Sequence, residues 1–331
     1  MPGMDVVVGA LLVVLLLLAF AGLAFSWWDV RRERGRRFLT RWGVSEPTEQ
    51  ADTAARYLRH RRLLHPFVFS ALLVGVNVMT GVNGLPDPDW GLVLLGALHA
   101  TLLVAEVVVA VRRRLEPVRV ASLARRRFTD VVPSFALALQ AAMTLVLVAA
   151  AGVALAVQPW ADSVGAWRRR HDDEIGPSSP IGILEWDPPP QGTTVIWLLL
   201  GIGLAVALAA FAVVRLTLTR GPVADDVVDA ALRVRTARVA VGTGLLLTAV
   251  PLVGIVSRIG EVGVLASIAS QSRGWPPRLL PTPDFPGPPA WIAEVGELRD
   301  TVVLLAIATG LVGWAAVVAP VKRLRLVQAN R

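Results

Sequence analysis

The chain has no cysteine, one tyrosine, four methionines and, at Lys322, a single lysine among 33 basic residues. Each shortage closes a route. Without cysteine there are no disulfides, thiolate nucleophiles or Cys-ligated metals. Lys322 lies beyond the last apolar block, which removes a retinal-type Schiff base. Charge is also scarce, at 18%, where a soluble domain carries about a quarter. There is no Gly-rich phosphate loop with lysine, no G-x-S-x-G and no H-E-x-x-H. An embedded ATPase, a hydrolase of the familiar kind and a zinc protease therefore lose support, and no cofactor is expected.

What is present is apolar: 54% of the 331 residues are hydrophobic, and they fall into long blocks. Crossing roughly 30 Å of hydrocarbon as a helix takes about 20 residues. Seven blocks reach that length, near 5–26, 66–85, 90–111, 133–157, 193–215, 238–257 and 301–320. The expected fold class is an all-α integral membrane protein, a single polytopic bundle of about seven transmembrane helices. The stretch IGEVGVLASIAS, residues 259–270, is too short for an eighth crossing and is interrupted by Glu261. It reads as an interfacial or re-entrant helix.

A secretion signal carries a basic n-region and a short apolar core. The first block has no basic residue before it and RRERGRR after it, so it reads as an uncleaved span. Lys and Arg number ten in 27–65, seven in 112–132, five in 215–238 and four at the C-terminus. The opposite connections hold none in 86–89, three in 158–192 and four in 258–300. Basic residues concentrate in cytoplasmic loops, so 26 against 7 places the N-terminus outside and the C-terminus inside. The formal charge of +8 is then mostly a topology signal. Trp27, Trp28, Trp90, Trp160 and Trp197 stand near predicted span ends, where an amphipathic ring prefers the headgroup zone.

The cytoplasmic loops 27–65, 112–132 and 216–237 share a layout: proline and acid early, an Ala/Leu/Val middle, then arginines leading into the next span. In the first, Ser45, Pro47, Glu46, Glu49 and Asp52 suit a helix start, and Arg56, Arg59, Arg61 and Arg62 suit its end. Arg125, Arg126 and Arg127 close the second loop, and Arg233, Arg235 and Arg238 the third. A shift of 108 superimposes Arg125 on Arg233, Arg127 on Arg235 and Leu137 on Leu245. The chain thus reads as three hairpins of span, basic helix and span, plus a lone last span. The ten arginines are expected to form membrane-surface helices against anionic inner-leaflet headgroups, which explains their charge without nucleic acid.

Few ionisable groups fall inside the spans. His99 and Glu106, seven apart, share a helical face and form a candidate intramembrane polar pair. Proton relay is one reading; the other is a Glu106 pair with nearby arginines and a His99 bond to a neighbouring carbonyl. Asn77, Asn83 and Gln140 suit bonds between helices, and glycines 201, 203, 242, 244, 310 and 313 suit close packing. Pro251 suits a kink. His171, Asp172, Asp173 and Glu174 carry metal-capable groups. Consecutive residues rarely converge on one ion, and Arg168, Arg169 and Arg170 adjoin them, so no metal is assigned.

The extracytoplasmic loops 158–192 and 258–300 are proline-dense and read as caps or as docking surfaces anchored by Trp186, Phe285 and Trp291. No catalytic residue is assigned. The leading expectation is a multi-pass protein of the plasma (inner) membrane, a non-enzymatic permease-like or accessory component of a transport or envelope system. A soluble protein partner such as an ATPase would dock at the cytoplasmic loops, or an envelope partner at the Pro-rich outer loops. The alternatives are a stand-alone proton-coupled secondary transporter using His99 and Glu106, and an embedded enzyme with an outer-face site at His171, Asp172, Asp173 or Glu185.

Overall fold

The computed structural model describes residues 32–42, 44, 51, 52, 54, 55, 58, 70, 71, 100, 101, 104, 107, 108, 127–170, 192–219, 226–271 and 287–319. They are all-helical, with no strand among the described residues. The elements are α1 (Arg32–Arg41), α2 (Ser134–Arg170), α3 (Gly192–Thr219), α4 (Asp226–Gln271), α5 (Ala290–Glu297) and α6 (Arg299–Val318), with a single turn at Phe128–Val131 before α2. In that turn the Arg127 backbone N–H donates to Asp130 Oδ2 at 2.7 Å, so the carboxylate satisfies a donor at the N-terminal end.

Among the described residues four helices are long and apolar enough to cross a membrane: Ser134–Trp167, Gly192–Thr219, Val228–Ser267 and Arg299–Val318. The predicted blocks at 133–157, 193–215, 238–257 and 301–320 fall on these four. Those at 5–26, 66–85 and 90–111 lie outside the described residues, isolated helical positions such as Thr101 apart. Of the first basic loop, 27–65, residues 32–41 form α1, and Ala51, Asp52, Ala54, Ala55 and Leu58 are also described and helical.

Three connections differ from the sequence reading. Residues 226–237 are not a separate cytoplasmic helix but the first turns of α4, which runs unbroken for 46 residues. Between Asp226 and Arg238 there is neither glycine nor proline, and Ala, Leu and Arg are strong helix formers. Asp229 stands near the start of the helix, at its positive dipole end. Residues 259–270 likewise continue α4 and form no separate element, with Glu261 kept on its exposed side. Residues 158–170 extend α2 past Pro159, whose exposed ring removes one backbone bond without ending the helix.

The chain forms two compact units. One comprises residues 1–140, 206–247 and 312–331, the other 141–205 and 248–311. Helix α4 supplies buried side chains to both, and 67% of its most apolar window is buried, against 17% for α3 and 22% for α6. In the first unit Val213, Val214, Val228, Leu232, Val241, Leu245 and Val317 are buried, along with Leu39 and Trp42 at the end of α1. Phe128 and Phe211 stack at 5.5 Å between ring centroids. A Cβ on Gly244 would stand 3.1 Å from the Ala210 Cβ, so this glycine brings α3 and α4 together.

In the second unit Leu147, Ala151 and Ala154 of α2 pack with Ile196 of α3, with Leu252, Ile255, Val256 and Ile259 of α4, and with Ala306 of α6. Further along, Val157, Trp160, Ala161 and Val164 pack with Val262, Leu265 and Ala266, and Ile292 of α5 joins them. Trp160 is therefore a core residue, whereas Trp197 is 56% exposed. Gly203 lies against Leu147 and the Pro251 ring, but Gly201 faces open space and makes no close helix contact. A Cβ on Gly263 would lie 2.4 Å from the Gly296 Cα, so the backbones of α4 and α5 meet there without side chains between them.

Candidate functional site

The densest polar cluster among the described residues lies in the first unit, on the opening turns of α4. The spacing of Asp229 and Arg233 places them one helical turn apart on one face. Arg233 Nε donates to Asp229 Oδ2 at 2.5 Å, and both side chains are 3% exposed. Arg233 Nη1 also donates to the carbonyl of Thr217 on α3. That carbonyl is one of the last four of its helix, which have no intrahelical donor. The Thr217 hydroxyl donates to the Val214 carbonyl at 2.7 Å, and that of Thr219 to the Arg215 carbonyl at 2.9 Å.

Arg238 repeats the arrangement on another helix. Its Nη1 donates at 2.9 Å to the carbonyl of Ala319, the residue following α6. Two arginines of α4 thus bond carbonyls at the C-terminal ends of two different neighbours, where a cation is also favoured by the helix dipole. Between them, the Arg235 guanidinium lies over the Phe38 ring, 5.8 Å from its centroid. The chemistry is that of fixed cations holding helix ends.

Of the predicted surface arginines, Arg233 is therefore an interior residue and not a headgroup contact. An unpaired buried guanidinium is costly; Asp229 and the Thr217 carbonyl supply its compensation. Arg235 and Arg238 are half-buried, and Arg127 is exposed. Arg56, Arg59, Arg61, Arg62, Arg125 and Arg126 lie outside the described residues, as do His99, Glu106, His171, Asp172, Asp173, Glu174 and Glu185. Gln140 is buried close to Gly244 on α4.

Two features escaped the sequence reading. One is the Asp229–Arg233 bond, which the i,i+4 spacing could have signalled, although Arg233 was expected at the membrane surface. Arg258, assigned to an outer loop, is instead a half-buried residue inside α4; nothing in its immediate sequence signals that.

Compared with protein-family models, curated proteins and solved structures, the chain gives no match.

Proposed function

We propose that the chain is a multi-pass protein of the plasma (inner) membrane, with seven spans, N-terminus outside and C-terminus inside. We infer for it a non-enzymatic role as a permease-like or accessory component of a transport or envelope system. The observation that carries the reading is the chemistry of the exposed helix faces. Leu145 of α2 is 70% exposed, Leu208 of α3 67%, and Leu304 and Val312 of α6 67% each. Apolar faces of this extent on helices of spanning length suit lipid. Helix–helix contact in lipid relies on packing and small residues, as at Gly203, Gly244 and Gly263.

The basic segments fit the inner face. Helix α1 buries Leu39 and turns Arg36, Arg37 and Arg41 outward, where anionic headgroups attract them. The clamps from Arg233 and Arg238 hold helix ends on that same side. Such a scaffold positions spans for a partner without supplying chemistry of its own.

A reporter fused after Arg331 is expected to read cytoplasmic; an external signal overturns the topology. Pull-down from mild detergent, with mass spectrometry, tests the role. A reproducible soluble ATPase or envelope partner supports it, and a clean monomer with uptake activity of its own argues for a stand-alone transporter.

A further inference from the structure

One face of α3 changes chemistry along its length. Leu208, Phe211 and Arg215 recur at spacings of three and four residues, which places them in a single stripe of the helix. Leu208 and Phe211 are well exposed, and so is Arg215. The stripe is therefore apolar first and becomes cationic where the apolar block 193–215 ends. Of the four helices of spanning length, α3 buries the smallest share of its most apolar window. In a bilayer such a stripe meets acyl chains along its apolar part, and the arginine reaches toward the headgroups.

The aromatic stack adds a second cation to this stripe. Phe128 lies on Phe211 with 5.5 Å between ring centroids, and Arg127 is the residue immediately before Phe128. The Arg127 backbone N–H donates to Asp130 Oδ2 at 2.7 Å, which occupies that carboxylate and fixes the turn. The Arg127 side chain stays exposed. Neither the Arg127 nor the Arg215 guanidinium forms an ion pair among the described residues. Two guanidinium groups and the Asp130 carboxylate sum to one positive charge, which a single phosphodiester neutralises.

We propose that this patch binds one phospholipid with an anionic headgroup, its acyl chain along Leu208 and Phe211 and its phosphate at Arg127 and Arg215. The assignment rests on the membrane-spanning reading and names the lipid that α3 meets. All the residues concerned belong to the first unit. Both guanidinium groups are at the surface, so a phosphate reaches their N–H forks without displacing protein. A free anion would leave Leu208 and Phe211 unused, whereas an amphiphile matches both parts of the stripe. The ring stack is the positioning element, because it sets where Arg127 stands relative to Arg215.

The test uses the full chain in detergent micelles that carry a photoactivatable phosphatidylglycerol or the matching phosphatidylcholine. Adducts are mapped by mass spectrometry after digestion. Phosphatidylglycerol is expected to label residues 208–215 more heavily than phosphatidylcholine does. Arg127→Gln with Arg215→Gln is expected to lower phosphatidylglycerol labelling there at least about fivefold, the effect of one basic residue near an anionic surface, and to leave phosphatidylcholine labelling unchanged. Arg36→Gln with Arg37→Gln, on α1, is expected to leave both unchanged. Phe211→Leu keeps an apolar side chain but removes the stack, and is expected to lower phosphatidylglycerol labelling with both arginines still in place.

Equal labelling of the native chain by the two lipids, or equal phosphatidylglycerol labelling of the native chain and the Arg127/Arg215 variant, overturns the proposal. An equal loss in the α1 variant also overturns it, since general surface charge would then account for the effect. Carbonate extraction of membranes separates this from the wider reading. A chain that stays with the membrane yet does not distinguish the lipids loses only this site, and a chain released by carbonate loses the membrane reading itself.

Discussion

Arg233 and Asp229 stand one turn apart on α4 with Nε and Oδ2 at 2.5 Å, and each side chain is 3% exposed. In an interior the bond between such charges and the cost of desolvating them are both large, and losing one partner strands the other. Arg233→Ala or Asp229→Ala is expected to destabilise the protein by about 3–5 kcal/mol. Asp229→Leu with Arg233→Met removes both charges and should cost less than the sum of the single changes, retaining the loss of the Thr217 contact. Melting in detergent checks this; strict additivity would show that the two residues are not coupled.

Exposed positions on α6 separate lipid from water as the surrounding medium. Leu305 is 62% exposed and Val312 67%. In water a lysine at either site would change stability by no more than about 0.5 kcal/mol. In a bilayer a central lysine costs about 2.5–3.5 kcal/mol of insertion free energy. Leu305→Lys and Val312→Lys are therefore expected to lower the membrane-integrated fraction sharply. Unchanged integration of both would count against α6 as a lipid-facing span.

The stacked rings of Phe128 and Phe211, 14° apart in plane, couple the short turn before α2 to α3. A double-mutant cycle with leucine at each position should return a coupling of about 0.5–1.5 kcal/mol. A coupling of zero would mean that the rings contribute only by burial.

Glycine positions give a paired prediction with opposite signs. Gly263→Ala drives a methyl group toward the Gly296 backbone and is expected to cost about 1–3 kcal/mol. Gly201→Ala meets nothing within 4 Å, and in a helix interior it should gain about 0.5–1 kcal/mol. Equal effects from the two, read by thermal melting, would remove the distinction between a packed and an open glycine.

The long helices were legible because each contains an apolar run of spanning length, which constrains its conformation whatever its neighbours are. Their ends were not. Hydropathy drops at Arg233 and Arg235 because side chains change there, yet the backbone has no reason to stop in a stretch free of glycine and proline. At Arg258 the helix also runs on, although Gly254, Gly260 and Gly263 stand around it, because Ile255, Ile259 and Val262 on the same helix stay buried against their neighbours. Pro159 shows the converse: a residue that suggests an ending merely forfeits one bond on an exposed side. The polar clamps were partly legible. The Asp229–Arg233 spacing announces their bond, but the carbonyls of Thr217 and Ala319 are backbone groups that no residue type marks.

The meeting of Gly263 and Gly296 also sets the register between α4 and α5. The residues flanking these glycines are Val262 and Val264 on one helix, and Val295 and Glu297 on the other. Sliding either helix by one residue would bring a branched or charged side chain to a point where there is room for hydrogen alone. The contact thus works as an alignment mark: it adds little attraction of its own, but it penalises every neighbouring alignment and leaves one way for the two helices to close.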